Sequence, residues 1–230
     1  SEMCIRDRYY TNDFPYIIID DVYTEKECEM ILADYDRINE KGKLVDASYT
    51  NAAKNYDGEY QKSGKAGFWG RDINKEDFTD PDIFHKVFNE KIKTPLGVQL
   101  KTIAGHPNWF FREHKYDKIN VLLSYYENDD FYNEHCDVAF ITCLTWHYQL
   151  PKKFEGGNFH FTKQNIEIES KYNRMLIFPS MIPHSVDKVI LNEDDCQKRY
   201  GRYCFTHFIL PYCCLLYTST SQRDLARSRM

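Results

Sequence analysis

No apolar run in this 230-residue sequence approaches the length that crosses a bilayer, and no signal-peptide core follows its start, so the expected location is the cytoplasm. A block of lysine and arginine is missing too. With 30 basic against 35 acidic side chains and a net charge of -5, a surface that tracks nucleic-acid phosphates is not expected. The eight cysteines (Cys4, Cys28, Cys136, Cys143, Cys196, Cys204, Cys213 and Cys214) contain no CxxC pair and no regular framework. Cys28, Cys143 and Cys204 sit inside apolar patterns, where a free thiol behaves as a small hydrophobe. A disulfide scaffold and a cysteine zinc site are therefore set aside in favour of reduced thiols. There is no internal repeat and no linker that would divide the chain.

What is present fits one soluble domain with a sizeable core. The apolar fraction is 42%, the charged fraction 28%, and aromatics reach 16%, which suits half-buried pleated surfaces. The ends fit no pattern: Ser1–Arg8 and the tail from Leu215 resemble translated sequencing-adapter sequence. Residues 1–8 and 215–230 are expected to be non-native or disordered, leaving 9–214 as a single domain.

Tyr16–Asp20 reads as a strand, and Thr24 to Glu27 has the form of a capping box, opening a helix with Cys28, Ile31, Leu32 and Tyr35 on one face. From Lys41 to Gly67 the chain is polar and without period, which predicts a long surface excursion. Asp80-Pro81 predicts a second helix carrying Ile83, Val87, Phe88 and Ile92. Short strand-like runs then take over at 118–126, 139–150, 158–162, 174–178, 185–191 and 202–210. Helices followed by close-spaced strands predict a mainly β fold, a sandwich or barrel with helices on one side.

His135-Cys136-Asp137 carries the chemistry. Residues two apart on a strand point the same way, so a His-x-Asp pair can offer two ligands to one ion. His184, at the start of a later strand-like run, supplies a third. Two histidines and a carboxylate on one face of an octahedral ion leave coordination positions open, as iron(II) chemistry with an oxoacid and dioxygen requires. A His-x-Asp pair also arises by chance. His85, His106, His114, His147, His160 and His207 are read as structural, with His147 and Thr145 as candidate lining residues.

The order of features around these three residues resembles the prolyl 4-hydroxylase-like branch of the 2-oxoglutarate/Fe(II)-dependent oxygenases. It runs from Tyr125 and His135-x-Asp137 through a Thr-rich strand (141–150) to Gly156-Gly157-Asn158-Phe159. It continues through Phe178-Pro179-Ser180 and Pro183-His184-x-Val186 to Arg202-Tyr203-Cys204-Phe205-Thr206, covering about 120–210. The resemblance implies a double-stranded β-helix, the cupin-like jelly roll, with the metal at its open end. It implies Fe(II), 2-oxoglutarate and O2, with ascorbate as a further cofactor that no residue here addresses. The implied reaction is C–H hydroxylation with release of succinate and CO2, on a prolyl or other protein side chain; the alternatives are a free amino acid or other small molecule. A non-catalytic jelly-roll binding module and a zinc hydrolase are the rival classes.

Arg202 and Thr206 share one face of the closing strand, where a guanidinium fork suits the distal carboxylate of 2-oxoglutarate. Tyr125 and Thr145 are the other expected cosubstrate contacts. Arg202 follows His184 by eighteen residues, further than the family usually places its basic residue, and 192–201 reads as the loop that absorbs the difference. Lys198 and Arg199 lie in that loop and rank behind Arg202. In the position of the relatives' strand tyrosine falls Tyr148 or Gln149.

Overall fold

The computed structural model describes residues 8–10, 14–49, 61–69, 78–79 and 116–211. The predicted helix from Asp80, with His85, His106 and His114, lies outside the described residues, as do 1–7 and 212–230; Arg8 opens the first strand.

Fourteen strands and one α-helix are described: β1 (Arg8–Tyr10), β2 (Tyr16–Asp20), α1 (Glu25–Glu40), β3 (Val45–Asp46), β4 (Lys65–Trp69), β5 (Tyr116–Tyr126), β6 (Tyr132–His135), β7 (Ile141–His147), β8 (Phe154–Gly156), β9 (Phe159–Phe161), β10 (Ile166–Ile168), β11 (Arg174–Pro179), β12 (His184–Val186), β13 (Val189–Leu191) and β14 (Arg202–Pro211). The major sheet has the order β1-β2-β11-β7-β14-β5-β4-β3; the minor sheet is β10-β9-β12-β6, and β13 pairs with β8 alone. This is the jelly roll that the sequence predicts. One expected strand divides: 185–191 forms β12 and β13, and His184 is the first residue of β12.

The major sheet is covered on both faces, so β7 and β11 are buried throughout instead of alternating with polar residues. α1 covers the outer face. Its capping box is formed, with Glu27 N–H donating to Thr24 Oγ1 and Thr24 N–H to Glu27 Oε2 at 2.8 Å. Cys28, Ile31, Tyr35 and Ile38 pack with Val121, Leu123, Cys143, Met175 and Phe205. Each such buried aliphatic side chain contributes about 1.5–3 kcal/mol. The inner face meets the minor sheet through Leu144, Trp146, Leu176 and Phe178 against Phe159 and Phe161.

The polar stretch after Lys41 is not wholly a surface excursion. Lys62 bridges to Tyr132, with Asn133 N–H bonded to Gln61 O, and β4 then pairs with β5. One segment therefore joins the minor sheet to the major one. Gly64 turns the corner at φ +87°, where a Cβ would stand 2.5 Å from Tyr125 O, so only glycine fits.

Candidate metal centre

β6 and β12 lie antiparallel with His135 directly opposite His184. Their rings face each other at 4.2 Å between centroids. Each Nδ1 lies 2.8 Å from a backbone carbonyl two residues back, Asn133 O for His135 and Ile182 O for His184. A carbonyl only accepts, so Nδ1 carries the proton and Nε2 keeps its lone pair for the centre. Tyr132 stacks on His135 at 3.4 Å, and Phe159 on His184 at 5.1 Å, which fixes both ring planes.

Asp137 completes the group. Its Oδ1 is 3.6 Å from His135 Nε2 and its Oδ2 is 3.5 Å from His184 Nε2. One ligand atom from each of the three residues lies within 4.8 Å of the others. Thr142 Oγ1 donates to Asp137 Oδ2 at 2.7 Å and is 2.9 Å from Ser180 Oγ, while Asp137 N–H bonds Ser180 O. Burial alone would raise the Asp137 carboxyl, but when the two imidazoles are protonated they outweigh it and hold it well below the usual carboxylate range. Burial lowers the His135 imidazole, partly offset by Asp137, so the neutral ligand form is favoured.

Arg202 enters the same pocket from β14, together with Cys204, Thr206 and Phe208. It is 1% exposed, and among the described residues Nε, Nη1 and Nη2 find no hydrogen-bond partner. Its guanidinium lies 4.4 Å from the Tyr126 ring centre. Gly157 makes room for it, since a Cβ there would stand 3.2 Å from Arg202 Cδ. A buried cation with no acceptor is unfavourable unless an anion completes it. These residues fit a divalent ion beside a dicarboxylate. Lys198 and Arg199 stay exposed in the loop, and Arg199 pairs with Asp36 on α1.

Five of the expected site residues therefore come together: His135, Asp137, His184, Arg202 and Thr206. Two do not. Tyr125 pairs in register with Tyr203, whereas Arg202 pairs with Tyr126, so Tyr125 points to the α1 side and donates to Glu127 Oε2 at 2.8 Å. Thr145 pairs with Phe205 and Met175, also on the helix side. His147 follows Thr145 onto that side, beside Tyr23 and Tyr172, and Tyr148 packs among Phe154 and Tyr172. The residues that take the inward positions are Tyr126, Ser124, Thr142 and Lys62. Alternation along a strand was readable for Arg202 and Thr206. The phase of β5 and β7 against β14 was not, because it is set by pairing.

Residues 121–210 match the family model of the 2OG-Fe(II) oxygenase superfamily. A comparison with curated proteins returned no match. Among solved structures, a Pseudomonas putida prolyl-4-hydroxylase superposes with a TM-score of 0.57 at 13% identity, over 86% of this chain and 94% of that one. A Trichoplax adhaerens prolyl hydroxylase, in complex with a hypoxia inducible factor oxygen degradation domain peptide fragment, gives 0.53 at 14% identity, over 85% and 83%. A Burkholderia pseudomallei oxidoreductase of the 2OG-Fe(II) oxygenase family gives 0.50 at 12%, over 85% and 84%. At these identities the likeness is one of fold.

Proposed function

We propose that this chain, an enzyme of the 2OG-Fe(II) oxygenase superfamily with the prolyl 4-hydroxylase-like fold, hydroxylates a C–H bond of its substrate and turns 2-oxoglutarate into succinate and CO2. The observation that carries this reading is a His-Asp-His cluster sharing one pocket with a buried arginine that has no hydrogen-bond partner among the described residues. His135, Asp137 and His184 hold the iron on one side. Iron(II), with 2-oxoglutarate and dioxygen, supplies the oxidising power for the hydroxylation. Arg202 and Thr206 receive the distal carboxylate, and the guanidinium selects for it over a neutral chain end. Thr142 holds the Asp137 carboxylate in its ligating orientation. Leu144, Trp146 and Phe159 keep water away from the reacting centre.

A protein side chain, prolyl foremost, is the first substrate class to try, on the strength of the fold alone. A small molecule is the second. It is favoured by an aromatic lining that is itself buried, with Trp146 at 0% and Phe159 at 1% exposure. The test is anaerobic addition of iron(II) and 2-oxoglutarate, where a weak visible charge-transfer band is expected. Incubation in air with a panel of peptides and metabolites should then give a mass gain of one oxygen. Absence of the band would overturn the assignment. Ascorbate is tested in the same assay, as a dependence of the turnover number.

A further inference from the structure

Lys62 comes from the stretch that joins the two sheets, and its side chain enters the pocket of the metal centre. It is 2% exposed, and among the described residues its ammonium makes one hydrogen bond, to Ser124 Oγ at 2.7 Å. No carboxylate among the described residues pairs with it. An ammonium has three donors, so two are left for a ligand. Lys62 Nζ lies 5.6 Å from the Tyr126 ring centre, the ring that Arg202 approaches to 4.4 Å. It also lies 5.1 Å from the ring of Tyr132, which stacks on His135. The ammonium and the guanidinium thus both lie against Tyr126, in the one pocket that the metal ligands line. Two buried cations beside one aromatic ring repel each other, and they persist together where an anion joins them.

We propose that Lys62 is a second anchor for the distal carboxylate of 2-oxoglutarate, sharing it with Arg202. The assignment rests on the oxygenase reading above. Arg202 supplies a planar fork and Lys62 a point charge from another direction, so the carboxylate is fixed in orientation as well as position. The segment 61–69 thereby ties cosubstrate binding to the seam between the sheets.

Calorimetry with manganese(II) in place of iron tests this without turnover. The two probes are 2-oxoglutarate and 2-oxovalerate, which lacks the distal carboxylate. Lys62→Met is expected to weaken 2-oxoglutarate at least tenfold, leave 2-oxovalerate within twofold, and leave manganese affinity unchanged. Lys62→Arg, which keeps a cation, should recover most of the loss. Affinity for 2-oxoglutarate within twofold of the parent, or equal losses for both acids, overturns the proposal. A parent protein that takes neither acid overturns the oxygenase reading, and the role of Lys62 with it.

A readout needing no variant comes from pH. Burial lowers the Lys62 amine to about 8, and Arg202 adds to that effect while Cys204 and Asp137 oppose it. The groups facing the amine are Ser124 and Tyr126 of β5, Tyr132 of β6, Asp137 just after β6, and Arg202 and Cys204 of β14. The protonated amine binds the anion, so affinity for 2-oxoglutarate should decline as pH rises past about 8 while that for 2-oxovalerate does not. Parallel pH profiles for the two acids would count against Lys62.

Discussion

Between the two sheets, His135 and His184 each give Nδ1 to a carbonyl and keep Nε2 for the centre. On the helix side His147 is just as buried, yet neither of its ring nitrogens has a hydrogen-bond partner among the described residues. The same side chain is a prepared ligand on one side of the major sheet and a neutral packing ring on the other. Arg202 and Tyr203 repeat the contrast one residue apart: the first lines the chamber, the second packs on Tyr35 at 4.8 Å. In the chamber, the polar groups without a partner among the described residues include the charged Arg202. On the helix side they include Thr145, His147 and one carboxylate oxygen of Glu127. The proposed function gives the first region something to bind, and burial is common to both.

The strongest way to break this comparison is to remove a ligand. Asp137→Ala or His184→Ala is expected to cut uncoupled succinate formation at least a hundredfold, with the far-UV circular dichroism unchanged. Full turnover in either variant would take that residue out of the metal site. Next comes Arg202→Met, which should raise the 2-oxoglutarate requirement about thirtyfold, near the ~2 kcal/mol of a charged hydrogen bond. Because the variant also deletes a buried cation without a partner, its ligand-free melting temperature should equal or exceed the parent's. A lower one would mean that the guanidinium stabilises the ligand-free fold.

His147 sharpens the other half. Burial depresses its imidazole to about 3, whereas in the unfolded chain it titrates near 6.5. Between those values the unfolded state binds the extra proton. The stability that comes from keeping His147 neutral is therefore intact above pH 6.5 and is lost as pH falls towards 3. The slope is roughly 1.4 kcal/mol per pH unit at most. Urea melts from pH 7 to 4 should be flatter for His147→Leu than for the parent, and equal slopes would remove this account. The smallest kinetic effect belongs to Tyr125→Phe. It loses a hydrogen bond to Glu127 and the one accepted from Gly201 N–H, together worth about 2–3 kcal/mol of stability, and should leave the 2-oxoglutarate requirement within twofold. A larger kinetic effect would return Tyr125 to the chamber.

Much of this arrangement could be read from the chain. The capping box at Thr24 and the strand set rest on local periodicity, which a linear sequence displays, while the candidate ligands His135, Asp137 and His184 rest on the order of features that resembles the oxygenase family. Arg202 and Thr206 were placed together because they lie four apart on one strand. Tyr125 and Thr145 went to the wrong side for the converse reason. Choosing between Tyr125 and Tyr126 requires knowing which of them meets Arg202 across the sheet, and neighbouring strands share no local signal of their relative phase. Lys62 carried no signal at all, since a lysine in a polar stretch is usually solvated and only the joining of the two sheets turns this one inward.

The face-to-face placement of His135 and His184 has a thermodynamic corollary. β6 and β12 are short, and their pairing is interrupted between His184 and Val186, so little in the backbone alone enforces their alignment. A slip of one residue would set His184 against a neighbour of His135 and turn every side chain of the strand over. An ion that needs both imidazoles at once acts as a rivet for the correct alignment. Its affinity is then drawn partly from folding, and the minor sheet should gain protection against hydrogen exchange as metal is added.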